Sequence, residues 1–568
     1  MRWLRVVGPM IALAVLACAA PPRANQGAAP VGATRETKRI VASIMGEPPG
    51  MGSTRTNPSL GSVPGMEVVD ELVNDGLTHY DGQGNRVPLL AETTPTVDNG
   101  LWKVLSDGTM EITWTLRVDA RWHDGTPVTA DDLVFTTKFD QDQELGIPRN
   151  RLYDYVASVD AVDPRTVLVR WSSLFIEADG LFSPDVGLPL PRHILEPPYR
   201  EDRSTVLQHT YWTDGFVGSG AFTMKRWVPS EYMVLAANDQ YRFGRPKIDE
   251  IEVRFIRDVN ALIANLLAGA VELTLGRGLD PEHVVQIREQ RRELQTLLTP
   301  FSWLPMRPQF VNPSPPIMLD PRFRRAVVHA IDRQAIVDTI QYGMVEVAHS
   351  MVNPATPDYA LIEPGVVKYA YDPNAAAQMI TQLGYQKGAD GMFVDATGQR
   401  LTVEIRTTAQ RDQQVKASFA AADFLQRIGV NAEVYNVPLQ LIPDREHRAN
   451  FPGWEIVGGG AGLAAADVRR YHSTSAPLPE NGYRATGNNA RYINPEFDTL
   501  IDRYLTTIPR TERMGVMREI VHHQTDLVTV MGLFYQIRPT IVAPRITNVN
   551  RGYEYGSVAW NARDWDVK

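Results

Sequence analysis

The chain has 568 residues, 43% of them hydrophobic and 22% charged, an ordinary globular composition that is too long for one core, so two or three domains are expected. A formal net charge of −9 excludes the basic face that a nucleic-acid surface needs, so no nucleic-acid partner is expected. No apolar run reaches the roughly 18 residues that a membrane span requires.

The first positions are basic, Arg2 and Arg5, and residues 6–17 form an apolar run of signal-peptide length. Cys18, the sole cysteine, follows Val15-Leu16-Ala17. This tetrad resembles a bacterial lipobox, so residues 1–18 are expected to be a lipoprotein signal segment with Cys18 acylated. Residues 19–37, rich in Ala, Pro and Gly, read as a tether.

Residues 38–44 (KRIVASI) suggest the first strand. Residues 66–77 carry Val68, Val69, Leu72, Val73 and Leu77 at helical spacing. Asn99-Gly100 and Asp107-Gly108 are hairpin-type turns. From Thr113 the chain alternates, which predicts a half-buried strand with Trp114, Leu116 and Val118 on one face. Asp124-Gly125-Thr126-Pro127 then makes a turn, Gly supplying positive φ and Pro a fixed one. Thr129 is an N-cap signal, with Asp131 and Asp132 at the positive dipole end of a helix that buries Leu133, Val134 and Phe139.

Further strands are expected over 166–171, 223–227 and 248–256, and a short helix over 260–269. Around residues 301–311 (FSWLPMRPQFV) the character of the chain changes. Asp320-Pro321 and Asp372-Pro373 each place an Asp cap before a proline at the first helical position. Residues 419–428 form an amphipathic helix ended by Gly429, and 499–505 another, after Asn494-Pro495.

The chemistry-bearing patterns are few. Gly218-Ser219-Gly220 fails the spacing of a nucleophile elbow. The glycines at 458, 459, 460 and 462 fail the dinucleotide fingerprint, which needs Gly where Leu463 stands. His522-His523 lie on different helix faces without zinc-ligand spacing. Asp131, Asp132 and Asp423 suit capping and surface roles. No catalytic constellation, metal cluster or cofactor motif emerges, and no enzyme activity is expected.

The string LR-x4-WHDGTPVTADD, beginning at Leu116, resembles the signature of the family 5 extracytoplasmic solute-binding proteins of ABC importers, the dipeptide and oligopeptide receptors. Agreeing words follow in order over about residues 38–550, among them VPLLAE (87–92), DPRFRRAVVHAIDR (320–333) and NPEFD (494–498). The resemblance implies an α/β, two-lobed periplasmic-binding-protein (Venus flytrap) fold of the large cluster. Lobe 1 would use 38–60, 205–300 and 526–568, an extra subdomain 61–204, and lobe 2 residues 305–525, with a crossing strand near 301–311. It implies a monomeric substrate-binding subunit that is exported, anchored to the cell membrane on its periplasmic or extracellular face, and delivers a peptide-like or other small solute to ABC permease subunits. A ligand-binding sensor of a signalling system would share the fold, and a secreted hydrolase is the enzyme alternative. Ligand contacts are expected at Trp303, Gln309, Tyr435, Trp454, Gly459, Gly460 and Gly462. Peptide-binding members carry an acidic residue after a Trp-containing strand; here Glu455 and Asp467 are the nearest choices, so simple peptides are expected to bind weakly.

Overall fold

The computed structural model describes residues 37–56, 63–148, 150–408 and 411–568. The signal segment, Cys18 and the tether up to residue 36 lie outside these. Ten strands form the largest sheet among the described residues. From edge to edge they are Asn431–Val437, Thr402–Thr408, Trp454–Ile456, Gln295–Pro308, Met531–Val542, Leu273–Thr274, Arg39–Ile44, Glu250–Phe255, Tyr232–Ala237 and Phe222–Val228.

The two central strands are long, 14 and 12 residues, and they pair antiparallel from Gln295 opposite Val542 to Met306 opposite Met531. On one side Thr402–Thr408 runs parallel to both of its neighbours; on the other, Arg39–Ile44 does the same. Parallel neighbours need helical crossovers that cover the sheet, so two α/β lobes result, joined through the long pair. The register of that pair slips between Pro300 and Ser302 and again between Leu304 and Pro305. Proline has no amide to donate, so it sits where a ladder is already broken. The crossing strand thus starts earlier than residues 301–311 implied, because Gln295–Leu298 still pair with residues 539–542.

In the second lobe the helix Asp412–Ile428 connects two of the parallel strands and lays Ala417, Ala421, Leu425 and Ile428 on the sheet. Gly429, at φ 100°, ends it in the left-handed conformation that glycine adopts without strain. The core there gathers Met306, Phe323, Val327, Ile405, Trp454 and Phe534. The first lobe buries Ile40, Ile44, Leu72, Leu235, Ile251 and Trp565.

A separate four-stranded antiparallel sheet is ordered Trp102–Val104, Met110–Thr115, Thr166–Trp171, Val156–Ala161. Met110, Ile112 and Trp114 point to its core, and Leu116 continues the buried row. Val118 does not: it is 78% exposed, because the strand ends at Thr115 and Arg117 turns to pair with Asp119. The helix Ala130–Gln141 follows. Its Asp132 carboxylate accepts from the Thr129 amide at 2.7 Å and the Thr129 hydroxyl at 3.0 Å. Phe135 is buried beside Leu133 and Phe139, whereas Val134 is only half-buried. Gly125 has φ 87° with nothing within 4 Å of the place a Cβ would take, so the turn needs glycine for its backbone alone. The other caps form similarly, with Asp320, Asp372 and Asn494 accepting from the amides of Arg322, Ala375 and Phe497.

Candidate functional site

A cleft of about 710 Å³ separates the four-stranded sheet and its loops from the second lobe. Arg86, Tyr155, Phe175 and Glu177 stand on the first wall, and Leu463–Ala466, Arg470 and Arg513 on the second, with Tyr553 and Tyr555 of the C-terminal segment between. The walls are linked where the Ala465 amide donates to the Glu177 carboxylate at 2.9 Å. Burial pushes Glu177 up to about 7, the amide bond opposing that rise.

Charges on the walls are mostly held locally. Arg86 lies 3.6 Å from Asp179 and 3.9 Å from Asp185, donates to the Tyr80 hydroxyl at 2.7 Å, and covers that ring. Arg510 pairs with Asp358 at 2.7 Å. The Tyr555 hydroxyl lies 2.8 Å from the Ala461 carbonyl and 3.2 Å from Asp467, and accepts from the Ala464 amide at 3.2 Å. Tyr555 therefore fastens the C-terminal segment to the second lobe.

Asp185 and Tyr555 also line an inner chamber of about 160 Å³. Its walls carry Glu67, Asp70 and Glu71 from the helix Met66–Val73, Arg538 from the second crossing strand, and Glu554. Asp70 accepts from the amides of Gly52 and Ser53 at 2.8 and 2.7 Å, and burial still raises it to about 6. Arg538 donates to the carbonyls of Glu554 and Gly556 at 3.0 and 3.4 Å and stands 4.0 Å from Glu67. Desolvation lowers its pKa.

The seven residues singled out from the sequence are not among those lining the cleft or the chamber. Trp303 and Trp454 are 1% and 0% exposed and fill cores. Gln309 is fully buried, donating to the Ala449 carbonyl at 3.0 Å and accepting from Arg491 at 3.0 Å, so it ties segments of the second lobe together. Tyr435 is half-buried on an edge strand against His447. The glycines have another use. A Cβ on Gly459 would stand 2.3 Å from Arg307, one on Gly460 1.6 Å from Asp467, and one on Gly462 2.2 Å from the Tyr555 hydroxyl. They admit protein side chains, and Gly462 reaches the rim of the chamber through Tyr555 and Glu554.

The carboxylates named from the sequence are also occupied. Asp467 faces Arg470 at 3.3 Å and Tyr555, and Glu455 lies 3.9 Å from Arg307. Sequence reasoning passed over Glu71 and Glu554. The one available signal was Tyr553-Glu554-Tyr555-Gly556, an acid between two large aromatics.

The family model for bacterial extracellular solute-binding proteins, family 5 (middle), matches residues 85–471. The oligopeptide-binding protein AppA of Bacillus subtilis is 24% identical over 453 residues, 79% of this chain and 77% of AppA. Among solved structures, the ABC transporter substrate-binding protein CtaP of Listeria monocytogenes superposes with a TM-score of 0.73 at 18% identity, covering 94% of this chain and all of CtaP. NikA from Brucella suis, in complex with Fe(III)-EDTA, gives 0.71 at 19%, covering 93% of this chain and all of NikA. With a two-lobed fold, a cleft between the lobes and a family match over most of its length, the chain belongs to the family 5 bacterial extracellular solute-binding proteins.

Proposed function

We propose that this chain captures a small solute in the interlobe cleft and delivers it to the transmembrane subunits of an ABC importer. The observation that carries this reading is the cleft of about 710 Å³ between the subdomain and the second lobe, in a chain whose lobes are joined by a strand pair with its ladder broken at Pro300 and Pro305. A broken ladder is a place to bend, and bending there opens and closes the cleft. The solute shifts that equilibrium by its differential affinity for the closed form. On this reading lobe 1 takes 38–60, 205–300 and 526–568, the subdomain 61–204, and lobe 2 305–525. The protein works as an exported monomer held at the membrane by acylated Cys18, and it releases its ligand unaltered.

The partners of Asp467 and Glu455 support weak binding of plain short peptides, since neither carboxylate is left for an α-ammonium group. Mass spectrometry of what co-purifies with untreated protein tests the reading. It is followed by calorimetry and small-angle scattering with a panel of peptides, oligosaccharides, metal chelates and amines. We expect one class to bind and compact the particle. Absence of any binding, or recovery of a chemically altered compound, overturns the reading.

A further inference from the structure

We propose that the inner chamber is a subsite for a cationic head, an alkylammonium or guanidinium group, gripped between the carboxylates of Glu554 and Glu71. The inference rests on the solute-binding reading and adds a chemical class to it.

Glu554 is 8% exposed and lines the chamber, and its Oε2 has no hydrogen-bond partner among the described residues. A buried carboxylate oxygen without a donor is rare in folded proteins and asks for an explanation. The cation nearest to it does not supply one. Arg538 spends a guanidinium nitrogen on the main-chain carbonyls of Glu554 and Gly556, and three carboxylates, Glu67, Glu71 and Glu554, share its charge. Arg55, the other chamber guanidinium, is bound to Asp140 through two hydrogen bonds at 2.7 and 2.8 Å. The chamber therefore holds more carboxylate than cation, with Glu554 and Glu71 in excess.

Burial pushes both Glu554 and Glu71 up to about 8, and a cation brought beside them would favour the ionised form. Ser557 partly offsets that rise at Glu71. On the rim, Gly462 brings bare backbone to 3.0 Å from Glu554, measured from where its Cβ would stand, so the second lobe closes over the carboxylate without filling its space. The volume of about 160 Å³ equals that of about five waters at about 30 Å³ each. That is room enough for a butylammonium or guanidinium head. The rest of the solute would extend past Asp185 and Tyr555 into the outer cleft.

The chemistry suits both a lysine side chain in a peptide and a free diamine, and the test separates them. The full chain is titrated calorimetrically with acetyl-Ala-Lys-Ala-amide, with its norleucine counterpart and with 1,4-diaminobutane. Capping the peptides removes α-ammonium and carboxylate groups from competition. The expected result is a preference of about 10- to 100-fold for the lysine peptide over norleucine, or Glu554-dependent binding of the diamine, as charge-assisted hydrogen bonds imply. Glu554→Gln and, separately, Glu71→Gln keep side-chain size and should reduce that preference to about twofold or less by removing the ion pair. Equal affinity for the lysine and norleucine peptides without diamine binding, or a preference undiminished in both variants, overturns the subsite. Neutral solutes that bind the outer cleft would in that case leave the solute-binding reading standing. Failure of every class of solute to bind counts against both.

Discussion

Replacing Glu554 by Gln should stabilise the ligand-free protein, increasingly so as pH rises. The carboxyl is 8% exposed and burial raises it from an ordinary value of 4.5 to about 8. The folded chain then binds this proton more tightly than the unfolded chain, so the group contributes fully below pH 4.5. That contribution is lost as pH climbs through about 8. Each pH unit in that window costs about 1.4 kcal/mol, hence about 3 kcal/mol at pH 7 and about 5 kcal/mol once the window is passed. Gln carries no such cost. The groups facing Glu554 modulate it. Arg538 favours ionisation, while Asp467 opposes it, beside the neutral Tyr553 and Tyr555. Urea-unfolding curves of the two proteins, measured from pH 4.5 to 8, should diverge steadily in favour of the variant. A stability difference that stays constant with pH, or a variant that is less stable at every pH, would refute the argument that this acid is buried without a partner.

Three other outcomes are expected. Cys18→Ser should move the protein from the membrane fraction to the soluble one, since firm anchoring needs acyl chains; unchanged fractionation removes the lipoprotein proposal. Gly125→Val meets no atom within 4 Å but is forced to φ 87°, so it should cost on the order of 1 kcal/mol or more in folding. Solute affinity of the folded variant should not change, and a loss of affinity at unchanged melting temperature would make the turn part of a site. Asp140→Ala strands Arg55, which is 3% exposed, and removes the acceptor of the Tyr153 hydroxyl at 2.7 Å. Chemical denaturation should show a loss of about 3 to 5 kcal/mol, the usual result of breaking a buried pair; a loss under about 1 kcal/mol would mean that water reaches this pair, as at a surface salt bridge.

Local interactions made much of this protein legible in its sequence. The Asp124–Pro127 turn, the Thr129–Asp132 cap and the Asp-Pro helix starts at 320 and 372 each depend on residues within about four positions, and each is found where the pattern put it. The lobed architecture was legible for a different reason, the resemblance of ordered words to a family, since periodicity says nothing about which strands of a discontinuous sheet are neighbours. Even local patterns fail where the element ends. Val118 continued the alternation of Trp114 and Leu116, but nothing in a period of two marks the residue at which a strand stops. The site was decided by tertiary structure. Tryptophan signals ligand stacking and core packing equally well, and only the packing around Trp303 and Trp454 assigns them to cores. Glycines 459, 460 and 462 read as backbone left open for a ligand, whereas the space beside them is claimed by Arg307, Asp467 and Tyr555. Glu71 and Glu554, far apart in the sequence, share one chamber because the C-terminal segment folds back beside the helix Met66–Val73. A carboxylate's charge is written in the sequence, but whether a cation stands opposite it depends on contacts hundreds of residues away.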